Sequence, residues 1–444
     1  MDFISTALVT LKQPTGFWES ILNAFKNGTG TYIVAVILVA LIVRVLFALV
    51  DIVNKKVNMK NADINNKMKP ELEAIQKKYG YDQRLMQQKT NEIYKKYQFS
   101  MMSSCLPMLV AMILQFTVFL TLWNSLQAVS NYNIAEKYEN MKNVYANVIV
   151  LNEDTALKNE LTSLAGQEYS LRADVDVETN QLVVTVTKQN DGNSEFRYDY
   201  KTNWTNEEIF ELLNNYVIAK EEPAPTPDPD EGETTALEYN TDTGFNDIFK
   251  NLAEESAKQY FQETQESFLW IKNIYRPESP TSPLFTKKEI TTYLSKYYSA
   301  EEKETEKAND YEGKIFDCVI GENASLKEIK QEKNGYYILT IIAVLTSFLS
   351  IWLSNKLMKN KNTAATPGQN PGGSKFMYFM MPLIIGLFTF MYTSLFAIYL
   401  IVGQVVNIAL TPFTTWVVRK WLAADNKKKQ EKEEVVVDYR RKDK

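Results

Sequence analysis

Apolar and polar residues are gathered in long blocks along this 444-residue chain. The first apolar block, Tyr32 to Val50 (YIVAVILVALIVRVLFALV), is about 19 residues long, enough for one helix to cross the hydrocarbon of a bilayer. A second runs from Cys105 to Val129, a third from Tyr336 to Leu353, and a last from Phe376 to Val418, long enough for two spans broken near Met391 to Ser394. The pattern predicts spans at 31–50, 105–129, 336–354, 376–392 and 394–418. The fold class expected is a mainly α membrane protein: a five-span helical bundle with a cytoplasmic helical hairpin and a large extracytoplasmic α+β insertion.

Between the apolar blocks the periodicity changes. In GFWESILNAF, Phe17, Trp18, Ile21, Leu22 and Phe25 share a helical face, which suits a helix in the membrane interface or one packed on an aqueous domain. Residues 1–30 are assigned to this external amphipathic segment. Residues 54–99 read as two antiparallel helices, the first ending near Tyr79, with a turn at Gly80 to Asp82. Leu72, Ile75 and Tyr79 are placed to meet Leu85, Met86, Ile93 and Tyr97, and Pro70 marks a bend or a fresh start. Residues 131–334 hold a hairpin signal (QLVVTVT and SEFRYDY around DGN), a helix (NEEIFELLNNYVIA) and an acidic proline-rich linker (EEPAPTPDPDEGE). They close on a long amphipathic helix, DIFKNLAEESAKQYFQETQESFLWIKNIY, expected to lead back to the membrane with Trp270 and Tyr275 as interface anchors. TAATPGQNPGGSK, within the loop 355–375, reads as flexible, and the tail 419–444 as disordered.

Charge orients these blocks. Residues 55–97 carry eleven basic and five acidic side chains, a net of +6, which places the hairpin in the cytoplasm. Residues 131–334 carry 21 basic and 40 acidic side chains, a net of −19, consistent with the opposite side. The tail has ten basic and six acidic residues, a net of +4, and is expected inside. The start has Asp2 and no basic n-region, so the first span is expected to be an uncleaved anchor, with the N-terminus outside. There is no histidine, and the two cysteines, Cys105 and Cys318, fall on opposite sides in this topology. A Ser-His-Asp or Cys-His nucleophile and the usual zinc sites are thereby excluded, and no disulfide is expected. No Gly-rich phosphate loop is present, so neither an enzyme nor a cofactor is expected.

Candidate functional residues are the polar side chains inside the spans. Arg44 lies about 9 Å from the C-terminal end of its block at 1.5 Å per residue, so it either snorkels strainedly or faces a hydrated cavity. Gln115, Thr117, Thr121 and Asn124 punctuate the second span, and Gln404 and Asn407 the last. Arg44 and Gln115 both lie nearer the cytoplasmic ends of their helices.

The stretch KPELEAIQKKYGYDQRLMQQKTNEIYKKYQFSMMSSCLPMLVAMILQFTVFLTLWNSL resembles the hairpin and following span of the YidC/Oxa1/Alb3 membrane-protein insertases. Arg44 matches that family's groove arginine, and SFLWIKNIYRP and FMMPLIIGLFTFMYTSLFAIYLIVGQ extend the similarity over about half the chain. The chain departs from the family in VLFALVDIVNKK, where a proline-containing stretch is usual, and in its much larger external block. The resemblance implies a bacterial plasma-membrane insertase and chaperone, without catalytic residues, whose substrate groove holds Arg44, Gln115, Thr117, Thr121, Gln404 and Asn407. It implies a hairpin meeting partners through Lys77, Lys78, Tyr79, Arg84 and Lys89. The partners are nascent membrane proteins, the ribosome, the Sec translocon and anionic lipid. A small-solute transporter or channel is the alternative, though internal repeats and a charge chain across the membrane are missing. A third reading makes the acidic block the active part and the spans an anchor.

Overall fold

The computed structural model describes residues 11–99, 101–176, 178–189, 192–217, 241–297, 312–358 and 371–442. The linker at 221–233 lies outside them, as does part of the external segment. The chain divides into two units, one of residues 16–127 and 337–444 and the other of residues 1–15 and 128–336.

The first unit holds the apolar blocks. α1 (Phe17–Thr29) carries Glu19 in its first turn and Lys26 in its last, as the helix dipole favours, and Gly30 ends it at φ 83°. α2 (Tyr32–Tyr79) is capped by Thr31 and runs for 48 residues through Pro70. The proline therefore neither ends the helix nor restarts it. Asp82 caps α3 (Gln83–Lys96), its carboxylate accepting from Leu85 N at 3.0 Å. Met68, Leu72 and Ile93 are buried where α2 and α3 meet, flanked by Ile64, Ile75, Tyr94, Tyr97 and Phe99. Leu85 and Met86 are only half-buried and lie outside that cluster. Glu71 straps the hairpin, accepting from Lys96 Nζ and Tyr97 OH, each at 2.7 Å. These bonds, the lysine's first, hold its carboxyl below the usual carboxylate range.

α4 (Met101–Ile149), α11 (Ile338–Met358), α12 (Pro371–Met391) and α13 (Ser394–Lys442) supply the remaining apolar helices. α12 begins at Pro371, inside the stretch read as a loop; proline is well placed in a first helical turn, where its missing N–H costs nothing. Four described helices are long and apolar enough to cross a membrane, namely α2, α4, α11 and α13, and Phe379–Met391 of α12 is a shorter apolar helix. Outward faces such as Ile42, Val45, Leu46 and Leu49 on α2, or Ile113 and Phe116 on α4, are 47–65% exposed, an apolar surface suited to lipid. Phe119 and Trp123 of α4 pack edge-on to Phe388 of α12. The tail is helical rather than disordered: α13 continues to Lys442, in good helix formers of both signs (KKKQEKEE).

The second unit surrounds the far half of α4. From Val129 to Ile149 every residue except Glu136 is buried, so the helix is covered on all sides there. Around it lie α5 (Thr155–Ser163), β1 (Tyr169–Asp176), β2 (Gln181–Lys188), β3 (Asn193–Asp199) and α6 (Asn206–Tyr216). α7 (Thr241–Thr264), α8 (Lys287–Tyr297), α9 (312–316, widening into a π-helical turn at Asp317–Gly321) and α10 (Lys327–Gln331) follow. The sheet is antiparallel in the order β1-β2-β3, with Val184 facing Ala173 on one side and Phe196 on the other. A capping box between Thr205 and Glu208 starts α6. Cys318 is buried and forms no disulfide, and the side chain of Cys105 is not among those described.

The long helix expected to lead back to the membrane stops at Thr264. Beyond it the chain turns on itself, pairing Phe268 with Ile271, and Asn334 bonds both the N–H and the C=O of Asn273. Pro277, Pro280 and Pro283 then bar a helix. Tyr275 is 1% exposed with its hydroxyl on Glu266, and Trp270 donates to Glu278 at 2.8 Å. The Tyr275 ring is thus packed within this unit and does not serve as an interface anchor, while Trp270 is half-buried.

Candidate functional site

α2 and α13 pack against each other, and the polar residues of two apolar blocks line their seam. On α2, Arg44, Asp51 and Lys55 follow at spacings of seven and four, which puts them in one stripe of the helix. On α13, Asn407, Thr411 and Thr414 repeat the same stripe. Arg44 lies against Gly403, and Lys55 against Thr414. Both pairs are separated by 359 residues, so the helices run parallel and hold one register through three turns.

Arg44 is half-buried. Its Nε is fully enclosed and has no hydrogen-bond partner among the described residues. A Cβ at position 403 would stand 2.8 Å from that Nε and 3.1 Å from Nη2. Glycine there costs a helix about 1 kcal/mol relative to alanine, and in return the guanidinium approaches the bare backbone closely. A planar cation in apolar surroundings is matched to a carboxylate, which it can hold through two parallel bonds.

Toward the C-terminal end of α2 the seam is tied twice. Lys55 Nζ lies 2.6 Å from Asp51 Oδ2 and donates to Thr414 Oγ1 at 2.7 Å. Lys56 reaches Asp425 at 2.9 Å and lies 3.3 Å over the ring of Trp421. Asn407 donates to Ser350 Oγ of α11 at 2.9 Å, and Arg419 Nη2 to the Leu357 carbonyl at 2.7 Å, satisfying a free C=O in the last turn of α11.

The structure thus brings Arg44 and Asn407 to the α2 and α13 stripes, with Gln404 half-buried on α13. Gln115, Thr117 and Thr121 are exposed on α4, and none hydrogen-bonds Arg44 among the described residues. The Thr121 hydroxyl bonds the Thr117 carbonyl and accepts from Trp18 Nε1 of α1 at 3.0 Å. In the hairpin, Lys77, Lys78 and Arg84 are exposed, Tyr79 is half-buried beneath Lys78, and Lys89 pairs with Glu92 at 2.9 Å. Asp51, Lys55, Gly403 and Thr414 were not singled out as site residues. The seven-and-four spacing from Arg44 was the available signal, hidden because Asp51 and Lys55 follow the apolar run and look like anchors.

Residues 24–168 match the family model described as 60Kd inner membrane protein. A membrane protein insertase YidC from Oleidesulfovibrio alaskensis is 34% identical over 105 residues, covering 24% of this chain and 18% of the relative. One from Clostridium tetani is 32% identical over 113 residues, 25% of this chain and 48% of the relative. One from Fusobacterium nucleatum is 29% identical over 103 residues, 23% of this chain and 48% of the relative. The chain thus spans from under a fifth to about half the length of these curated relatives. No solved structure matches. The matched segment holds Arg44, the hairpin and α4, whereas α13 lies outside it. Over residues 24–168, then, this chain is similar to the 60Kd inner membrane proteins and to curated YidC insertases.

Proposed function

We propose that the chain is a membrane protein insertase and chaperone. Its seam between α2 and α13 admits the hydrophilic segment of a nascent membrane protein and releases the apolar helix to lipid. The observation that carries this reading is Arg44, a half-buried guanidinium in a membrane-length helix, packed so closely on Gly403 of the facing helix that a Cβ there would stand 2.8 Å from its Nε. A charged residue costs about 2.5 to 3.5 kcal/mol at the centre of a membrane helix, so shortening the dry path lowers a sizeable barrier. Arg44 attracts acidic residues near the substrate's translocated end, and Gln404, Asn407, Gln115, Thr117 and Thr121 supply polar edges. No bond is made or broken. In this reading the N-terminus and residues 131–334 face outward, and the hairpin and basic tail face the cytoplasm. There Lys77, Lys78, Tyr79, Arg84 and Lys89 meet the ribosome, a translocon or anionic lipid.

The test is reconstitution in liposomes, following protease protection of a single-span substrate with an acidic translocated tail. Wild type inserts it; Arg44→Leu loses most of the activity, and Gly403→Leu, which crowds the guanidinium from the facing helix, loses activity with Arg44 intact. Insertion undiminished in both variants would reduce Arg44 to a topological anchor.

A further inference from the structure

The seam holds a second cation on the line of the first. Lys55 follows Arg44 by three turns of α2, about 16 Å along the axis, and points to the same side. Its surroundings are lopsided: the Lys55 side chain is 4% exposed, whereas that of its counter-ion Asp51 is 37% exposed. An ammonium that deep keeps its charge only beside an anion and with its N–H groups bonded. Thr414 Oγ1 meets one of those needs from the facing helix and Asp51 meets the other from the accessible side. Another carboxylate arriving along the seam can therefore take the place of Asp51 without bringing Lys55 into water.

We propose that Lys55 is a second carboxylate-receiving group of the seam, with Asp51 as its exchangeable resident anion, so that this pair and Arg44 together set the preference for acidic translocated segments. The ligand is a carboxylate side chain of an extended polypeptide, an assignment that rests on the insertase reading above. Arg44 is half-buried and has no carboxylate salt-bridged to it among the described residues, whereas Lys55 is reached only by displacing Asp51. The second site thus grades substrates by how well their acidic groups compete with an intramolecular partner.

Two measurements test this on the full chain. The first is chemical rescue. Asp51→Ala lowers the melting temperature, and sodium acetate restores several degrees of it where sodium chloride at equal ionic strength does not. The acetate-specific gain is missing in wild type and in Asp51→Ala combined with Lys55→Met. A folded Asp51→Ala protein without any acetate-specific gain overturns the proposal. The second holds even where Asp51→Ala does not fold, because Asp51→Asn keeps the side chain's volume. In proteoliposomes, insertion of a substrate with an acidic tail is compared with that of the same substrate carrying Asn and Gln instead. The acidic-to-neutral ratio rises several-fold in Asp51→Asn and falls in Lys55→Gln. A ratio unmoved in both variants, with Arg44→Leu still defective, sinks the proposal and leaves the insertase reading standing. Insertion by no form removes the reading and the proposal together.

Discussion

Two buried lysines five residues apart on α4, Lys137 and Lys142, meet burial in opposite ways. Lys142 has Glu139 at 2.7 Å, Glu312 at 3.7 Å and the Asn206 side chain at 2.7 Å; burial pulls its pKa down, but the two carboxylates outweigh it and the net shift is upward. Lys137 has no hydrogen-bonded partner for its Nζ among the described residues, and sits 5.3 Å from the centre of the Tyr275 ring, with Glu266 and Glu136 acting at longer range. Burial lowers its pKa from 10.5 to about 8. The unfolded chain therefore holds more protons than the folded one between those two values, and stability rises with pH across that window. Below it the full penalty of a buried ammonium remains. Lys137→Met is expected to stabilise this unit by about 3 kcal/mol at neutral pH and to flatten its alkaline pH dependence. Hydrogen-exchange protection of residues 129–149, measured from pH 7 to 9.5, checks both; a destabilised variant would show that the amine makes bonds worth more than its desolvation.

At the scale of elements, the hairpin is held by a small cluster. Ile93 is 6% exposed and is the one fully buried residue that α3 contributes to it. Ile93→Ala is expected to cost about 2 to 3 kcal/mol of hairpin stability, read as faster proteolysis and amide exchange in α3, while α13 keeps its protection. The same elements show what the sequence made legible. Long apolar blocks and a GYD turn mark α2, α3, α4 and α13, because membrane length and capping chemistry are local properties. β1 went unread because only Ala173 and Val175 of its inward face are buried, a weak alternation beside that of β2. The end of α7 depends on Asn273 and Asn334, 61 residues apart, and no periodicity reports such a pairing. Arg44 stood out as a charge in an apolar run. Gly403 did not, because the reason for a glycine there is the guanidinium of another helix.

For the whole molecule, the partition of charge separates a basic hairpin from an acidic block of opposite sign. The insertase reading places the activity in the apolar unit. Deleting residues 69–97 is therefore expected to cripple insertion in liposomes, whereas shortening the block 131–334 is tolerated; the reverse outcome would make the acidic block the active part. The parallel register of α2 and α13 also limits how the apolar unit can move. Sliding α13 by one turn, about 5 to 6 Å, would bring Leu410 or Val418 to Lys55 in place of Thr414, and Tyr399 or Asn407 into the space that Gly403 leaves for Arg44. Either slip replaces the threonine acceptor of the buried Lys55 ammonium by an aliphatic side chain, leaving it Asp51 alone, and crowds a guanidinium at the same moment. A piston-like shear along the helix axes is thus opposed at two levels at once, which leaves tilting or parting of the two helices as the motions that the packing opposes least.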